Sequence, residues 1–505
     1  MVSGFTKKII TLRDNRKLTT PLLILFFSLT IITGNVRAES VILSLSEAFF
    51  KALKANRTIV YYDIDKNNAE MELEYQKGIF IPQFDLTGTW NRYSWESDNV
   101  NSYSVIETPK MVASIQKMNS FGGVTSLNFS TQEDKTVYSI PGLQDDEYRS
   151  SIFLKYEQPL LKGRGKTVTN YEINKSSLSL EFAKQRYEDN KNAVLFNVFK
   201  DYFSLLLTIE ELRIKKEIRE NTQSIFDVVK EKVEMRKLPV TDLNKMQTVL
   251  FIRDKEILDI ENTMQQKRNQ LMLSIFNDVE QDKGKDYILT TSIDEVIKSF
   301  KQPDLSEIMS KAESLDLDII GYKNDLERYN LELTKAQDDL KPELLGSVEM
   351  GADGYDSDKW LRSARDISPQ NYRIIFGGSL TFPITNTRAL SRVKIADNKI
   401  RQVELQRTNR LQEVRNAIYE LFDDLETFKS KVELAEEISS ISKQNLEYEI
   451  ERLVGEKTTV LNTLDYQTSM ITAELDMIAT KLDYIILIGV CHFYQREMEK
   501  IAIPQ

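Results

Sequence analysis

Two spacings of apolar residues divide this chain. Proline is absent from Leu160 to Leu238 and again from Ile384 to Ile503, and glycine is absent from Lys166 to Lys283. In the first of these stretches Phe196, Phe199, Phe203 and Leu206 recur three and four apart. In the second, Leu421, Leu425, Phe428, Val432 and Ala435 do the same. A mean period near 3.5 predicts packed helices that coil left-handed. Helices from about Thr167 to Lys230 and from about Thr387 to Leu453 would each be roughly 95 Å long at about 1.5 Å per residue. Each run meets a break, MRKLPVTDL at 235–243 and LVGEKTTVLNTL at 453–464, and then a shorter apolar helix. Two helical hairpins with tips follow. Pro239 suits the first turn of the returning helix and Gly455 a helix C-terminal cap. Aligning the breaks at an offset of 220 pairs Gln247 with Gln467 and sets Met235 opposite Gly455, so the two tips are expected to differ.

Period two appears elsewhere. In Phe84 to Trp95, Phe84, Leu86, Gly88 and Trp90 alternate with Asp85, Thr87, Thr89 and Asn91, and Ile152, Leu154 and Tyr156 alternate in Ser151 to Glu157. Leu344 to Met350 and Arg373 to Phe382 read as a second pair of strands. Glu96 to Pro109 and the Gly/Asp/Ser-rich Asp353 to Ser368 read as loops, so Asp353, Asp356 and Asp358 are expected on an exposed loop, their spacing unlike that of a calcium loop. Met111 to Thr131, with Phe121-Gly122-Gly123, has the look of an extra hairpin without an assigned place. Gly165-Lys166-Thr167 lacks the earlier glycine of a phosphate-binding loop, since Leu160 stands there, and reads as a strand-to-helix junction.

The halves echo one another. LSEAFFKALKAN at 45–56 returns as LSEIMSKAESLD at 305–316, and an ungapped offset of 260 also pairs Ile59, Tyr62, Asp65, Glu72, Leu73 and Pro82 with identical residues up to Pro342. This predicts an internal duplication. The expected units are 39–303, with strands within about 84–158 and a helical hairpin at 166–277, and 304–505, with strands within about 343–383 and a hairpin at 386–500.

The N-terminus changes the compartment. Lys7, Lys8, Arg13, Arg16 and Lys17 precede an apolar run from Leu22 to Ile32, and Val36-Arg37-Ala38 closes it, so 1–38 reads as a secretory signal peptide. An uncleaved anchor would need roughly 20 apolar residues. Beyond Ala38 no spanning helix is expected. Of the 505 residues, 67 are basic and 77 acidic; loss of 1–38 leaves 61 against 76, a net charge of −15. Nucleic acid is a poor partner for such a surface. The one cysteine, Cys491, allows no internal disulfide, and the one histidine, His492, excludes a multi-histidine metal site and reads as a helix-face residue rather than a catalyst. No nucleophile–base pair stands out, so an export-linked hydrolase has little behind it, and neither an enzyme nor a cofactor is expected.

An exported chain with strands and no spanning helix is either soluble or crosses lipid as β-structure. Two strand pairs cannot close a barrel, and an open edge in lipid costs several kcal/mol for each unpaired backbone group. Three copies sharing one barrel would supply 12 strands. Trp90, Tyr93 and Trp95 then suit an interfacial aromatic belt. The alternative is a soluble periplasmic coiled-coil scaffold.

The chain from 39 on resembles the TolC-type outer-membrane efflux proteins. The resemblance rests on LSEAFFKALKAN and its echo at 305, on YEQPLLKGRG (156–165) and LTFPITN (380–386) where strand gives way to helix, and on VLNTLDYQ (460–467) after the second tip. It implies a mixed, mainly α fold with a long coiled-coil helical tunnel, a transmembrane β-barrel shared between three protomers and an internal two-fold repeat. It further implies a homotrimer in the outer membrane, reaching into the periplasm. Such a duct serves efflux or type I secretion with a periplasmic adaptor and an inner-membrane transporter of the RND, ABC or MFS type. The family pattern after the second tip has two acids three residues apart. Here Asp465 holds the second position and Asn462 the first, so both are carried over as periplasmic gate residues with half the charge. Arg452 is a candidate gate lock, through a salt bridge to a neighbouring helix. Arg236, Lys237 and Leu238 on one tip, and Gly455, Glu456 and Lys457 on the other, are the implied adaptor contacts.

Overall fold

The computed structural model describes residues 39–94, 103–138, 142–278, 280 and 285–501. The segment 1–38 and Trp95 lie outside them. In chain order the elements are β1 (Glu39–Leu43), α1 (Leu45–Ala55), α2 (Arg57–Lys77), β2 (Gln83–Ser94), β3 (Tyr103–Met118), β4 (Val124–Tyr138), β5 (Gln144–Pro159), α3 (Lys166–Thr169), α4 (Tyr171–Glu234) and α5 (Val240–Phe276). There follow β6 (Lys285–Leu289), α6 (Ile293–Ser299), α7 (Leu305–Leu315), α8 (Leu317–Asp338), β7 (Glu343–Asp356), α9 (Trp360–Arg365), β8 (Tyr372–Thr381), α10 (Thr387–Val454), α11 (Val460–Tyr494) and α12 (Met498–Ile501).

The breaker-free stretches form the two long helices. The 64 residues of α4 and 68 of α10 reach about 96 and 102 Å at about 1.5 Å per residue. Each is too long for one partner. Along α4 run α2 and then α5, and along α10 run α8 and then α11. The joint between α5 and α2 is hydrogen-bonded: Asn56 donates to the Ser274 carbonyl at 2.8 Å, and the Arg57 N–H donates to Asn277 Oδ1 at 2.9 Å. The core sits at this waist. Phe199, Tyr202 and Phe203 of α4 are fully buried with Leu43, Leu45, Leu271 and Ile275, and the Tyr202 hydroxyl donates to the Leu43 carbonyl at 3.0 Å. A second cluster gathers Ile308, Ile418, Leu421, Leu425 and Ile488. A parallel pair, β1 with β6, lies beside the first, and no period in the sequence announced it.

Residues matched at the offset of 260 take like positions. Ala48 and Ile308, Ala52 and Ala312, and Ile59 and Ile319 are all buried. Asn56 and Asp316 both end one helix and cap the next in extended backbone, accepting from Thr58 N–H and Ile319 N–H respectively.

By length and composition α11 is apolar enough to cross a membrane, contrary to the expectation that no helix would be. A third of its apolar stretch is buried in the protein: Ile485, Ile488, Gly489 and Cys491 are among the buried residues, and a Cβ on Gly489 would lie 2.5 Å from Cε1 of Phe199. The contact requires glycine there. Burial pushes the Cys491 thiol up to about 12.

The strands differ from expectation in number. Six form one antiparallel sheet in the order β2-β3-β4-β5-β7-β8. Met111 to Thr131 spans the turn of the β3–β4 hairpin, seated between β2 and β5. Two supposed loops contain strand at one end. β3 runs through Pro109, where its ladder to β4 is interrupted between Glu107 and Lys110, and β7 continues through Gly351 to Asp356. Asp353 is therefore a strand residue, half-enclosed beside Arg373, while Asp356 ends the strand by accepting from the N–H groups of Asp358 and Lys359 at 2.7 and 2.9 Å. Gly165 stands at the start of α3 with φ 108°, as a strand-to-helix junction should.

Candidate functional site

The sheet separates two chemistries across its faces. Cross-strand partners point the same way, so each row of the register can be followed from edge to edge. One row is Phe84, Ile115, Leu127, Leu154, Met350 and Ile374. The next on that face is Leu86, Ala113, Phe129, Ile152, Ala352 and Tyr372. The rows between them point to the other face: Asp85, Ser114, Asn128, Phe153, Gly351 and Arg373, and then Thr87, Val112, Ser130, Ser151 and Asp353. The apolar face is open: Phe84 is 66 % and Phe376 78 % exposed. On the polar face Arg373 pairs with Glu349 at 2.8 Å, and Arg149 stacks over the Tyr355 ring.

The apolar band is bounded by aromatics. Tyr156 lies in a row near the helices, and Trp90 and Tyr148 share a row four steps away. Steps of two residues at about 3.3 Å each, on strands tilted about 40°, separate these aromatic rows by roughly 20 Å, against the ~25 Å apolar band of barrels in lipid; the row just inside Trp90 and Tyr148, with Gly88, Met111, Thr131, Ser150 and Gly354, is the less apolar part of it. Tyr93 is odd in phase to Trp90 and lies on the polar face with Ile106, Thr136 and Asp145. Tyr148, not Tyr93, is therefore in phase with Trp90; the reason is the period of two, which a list of nearby aromatics ignores. At the outer end α9 folds over the apolar face. Ser363 and Ser150 hydroxyls meet at 2.8 Å, and a Cβ on Gly354 would lie 2.2 Å from the Ser363 carbonyl oxygen.

At the opposite end of the molecule the two tips share one backbone design. Val233–Lys237 and Leu453–Lys457 each close with a paired hydrogen-bond cap: Arg236 N–H to Val233 and Lys237 N–H to Lys232, and Glu456 N–H to Leu453 and Lys457 N–H to Arg452, all between 2.8 and 3.2 Å. The left-handed residues are Arg236 (φ 57°) and Glu456 (φ 60°). Gly455 has φ −76° and Met235 φ −74°. Gly455 caps the C-terminus of α10 as expected, and Met235 caps α4 in the same way, so the two backbones match despite the Met/Gly difference and neither cap uses the left-handed freedom of glycine. Pro239 stands one residue before α5, as its N-cap.

The tips touch. Lys237 Nζ lies 2.7 Å from Glu456 Oε1, and Lys232 donates to the Val454 carbonyl at 3.1 Å. The Glu456 carboxyl is held below its ordinary range by that hydrogen bond from Lys237. Arg236, Lys237, Gly455, Glu456 and Lys457 are exposed, while Leu238 is half-buried against Val229 and Met246. Arg452 does not reach a neighbouring helix of its own chain. It pairs with Glu449 one turn back at 3.0 Å and donates to the Lys457 carbonyl at 3.2 Å. Glu449 is 2 % exposed and also takes the Thr458 hydroxyl, so this ion pair ties the end of α10 to the start of α11.

Asn462 and Asp465 sit together on the exposed face of α11, one turn apart. Thr463, Gln467 and Met470 occupy the buried face, with Gln467 donating to the Thr222 hydroxyl of α4 at 3.0 Å. Asn462 donates to Thr458 Oγ1 at 3.4 Å, and the Asp465 carboxylate has no ion pair among the described residues. Among the described residues no group of three metal-ligating side chains comes together. His492 is enclosed against Phe300, with rings 6.1 Å apart and Nδ1 without a partner, and burial lowers its pKa.

No family model matches the sequence, and no curated protein matches it. Solved structures do match. The outer membrane protein VceC of Vibrio cholerae superposes with TM-score 0.65 at 11 % identity, over 89 % of this chain and 96 % of that one. The CmeC outer membrane channel of Campylobacter jejuni gives 0.62 at 16 % over 90 % and 86 %. The open state of the Neisseria gonorrhoeae MtrE outer membrane channel gives 0.58 at 12 % over 90 % and 88 %. The chain has the fold of TolC-type outer-membrane channels.

Proposed function

We propose that this protein is an outer-membrane exit duct, extending into the periplasm and conducting cargo passively for an efflux pump or type I secretion system. The observation that carries it is the open sheet with one apolar and one polar face, set on a helical body about 100 Å long. A soluble scaffold would expose Phe84, Leu86, Leu127, Leu154 and Phe376 to water, a contiguous patch that soluble monomers avoid. The chain closes its sheet by trimerising, and the duplicated halves give the tube near-sixfold symmetry. The exposed tips dock a periplasmic adaptor, which couples the duct to an inner-membrane transporter. In the trimer the three α11 helices bring Asp465 and Asn462 to the periplasmic mouth, where a carboxylate ring attracts cations. Arg452 stiffens each tip through Glu449. The duct has no catalytic role and needs no cofactor.

The test is fractionation followed by conductance. The protein should stay with outer membranes through a carbonate wash and form ion-conducting pores in planar lipid. A carbonate-soluble monomer without conductance would overturn the proposal.

A further inference from the structure

The two outer edges of the sheet are unpaired among the described residues, one on β2 and the other on β8. Natural sheets blunt such edges with lysine, proline, bulges or short strands. Here neither QFDLTGTWNRYS nor YRIIFGGSLT holds a lysine or a proline, and the strands run 12 and 10 residues. Both edges carry the apolar face to their limit, Phe84 and Leu86 on β2 and Ile374 and Phe376 on β8. These edges are built to be covered.

Their directions say by what. Successive strands in the order β2-β3-β4-β5-β7-β8 are all antiparallel, so the first and the sixth run oppositely. A second copy placed alongside continues the antiparallel pattern, β8 of one against β2 of the next. This contact is head-to-tail, and it ends only when a ring closes. The β3–β4 hairpin adds two strands and so preserves that parity.

The hairpin is wall, not plug. β3 pairs with β2 and β4 pairs with β5 along most of their lengths. Its own residues keep the phase of their neighbours, with Ile115, Leu127 and Phe129 on the apolar face and Ser114, Ser126, Asn128 and Ser130 on the polar one. A hairpin folded into the lumen has no reason to carry an apolar stripe in register with the lipid-facing rows.

We propose that β2 and β8 are docking edges for further copies of this chain, and that three copies close an eighteen-stranded barrel, six strands from each. The proposal rests on the trimeric duct reading above and departs from a count of four strands per chain. With strands about 4.8 Å apart and tilted about 40°, eighteen strands give a backbone diameter of about 36 Å, against about 24 Å for twelve. Its inner wall is lined by Ser126, Asn128, Ser130 and the Arg373–Glu349 pair, a water-filled surface. The sheet end is then wider than a twelve-stranded one. It admits bulkier cargo, and selection falls to the helical mouth.

The experiment is pulsed dipolar spectroscopy on the full-length protein in lipid, spin-labelled at Lys155→Cys on β5 or, separately, Ser347→Cys on β7, both on the polar face. Cys491 is fully buried and will not compete for label. Equivalent backbone positions in a threefold ring lie about 31 Å apart for eighteen strands and about 21 Å for twelve. A distance near the larger value at both sites supports the proposal. A distance near the smaller value overturns the eighteen-stranded wall and leaves the trimer standing. Absence of dipolar coupling overturns the trimer itself, and the barrel with it.

Discussion

Leu127→Arg places a charge on the apolar face, about a quarter of the way from the Tyr156 row to the Trp90–Tyr148 row. Leu127 sits between Ile115 and Leu154 in a row that continues to Phe84, Met350 and Ile374, all apolar. The row lies about 5 Å above the Tyr156 row and about 15 Å below the Trp90–Tyr148 row, within the apolar band. An arginine on a lipid-facing strand costs about 2–4 kcal/mol at the midplane and about 0–1 near the interfaces, so about 1–3 kcal/mol at this depth. That is a factor of roughly 5 to 150 in the folded population of each copy. The control is one residue away. Asn128 points to the polar face beside Ser114 and Phe153, and Asn128→Arg there should cost no more than about 0.5 kcal/mol. Both variants are refolded into phospholipid vesicles across a urea series and the folded fraction is read from heat-resistant mobility on gels. Leu127→Arg should lose folding at markedly lower urea, and Asn128→Arg should track the parent. Equal behaviour, or the reverse order, would refute the assignment of faces and with it the membrane reading of the sheet.

Asp465→Ala should raise the concentration of divalent cation that half-blocks single-channel current by about tenfold, or about 1.4 kcal/mol; unchanged block would remove Asp465 from the gate. Lys237→Glu with Lys457→Glu should weaken adaptor binding in pull-downs while the trimer remains intact in size-exclusion chromatography, and parent-like binding would count against the tips. Lys237 holds Glu456 ionised below the ordinary carboxylate range, so that tip contact persists above the ordinary range and is lost only as pH falls through the lowered value. His492 is kept neutral by burial, whereas the unfolded chain takes up its proton below about pH 6.5, so folding should weaken as pH falls through that value by at most about 1.4 kcal/mol per unit; His492→Gln should flatten this part of the profile in thermal melts, and an unchanged slope would show that His492 protonates freely in the fold. Gly489→Val should cost about 1–3 kcal/mol through overpacking on Phe199, with partial relief from Phe199→Leu; a neutral result would show that α4 and α11 separate there at little cost.

How much of this was legible depends on how local each signal is. The long helices were readable because a proline- or glycine-free run and a 3.5 period act over a few turns, and Phe199, Phe203, Leu421 and Leu425 became buried contacts as their spacing required. The tips were readable as breaks, but not the residue that bends. Arg236 and Glu456 take the left-handed turn because hydrogen bonds from the next residue back to Lys232 and Arg452 impose it, and those bonds are invisible until the chain has turned. The Arg452–Glu449 pair was missed for a simpler reason: three residues apart on one helix, it is a neighbour contact that a search for distant partners passes over.

The sheet was the harder case, and Pro109 shows why. A proline donates no ladder hydrogen bond, so Glu96 to Pro109 read as loop. In the fold the β3–β4 ladder gives way around it, and Pro109 still pairs with Trp90 across the β2–β3 ladder. The polar rows then disguise what remains. A sheet with one polar face places Ser126, Asn128 and Ser130 at every second position, and in a sequence such polar residues look like a turn. Only the register restores the meaning, because it lays Leu127 against Ile115 and Leu154 and shows that the intervening polar residues form a face of their own. Once the hairpin is seen as wall, the unguarded edges of β2 and β8 stop being an anomaly of one chain. They become what the proposed closure by further copies would cover.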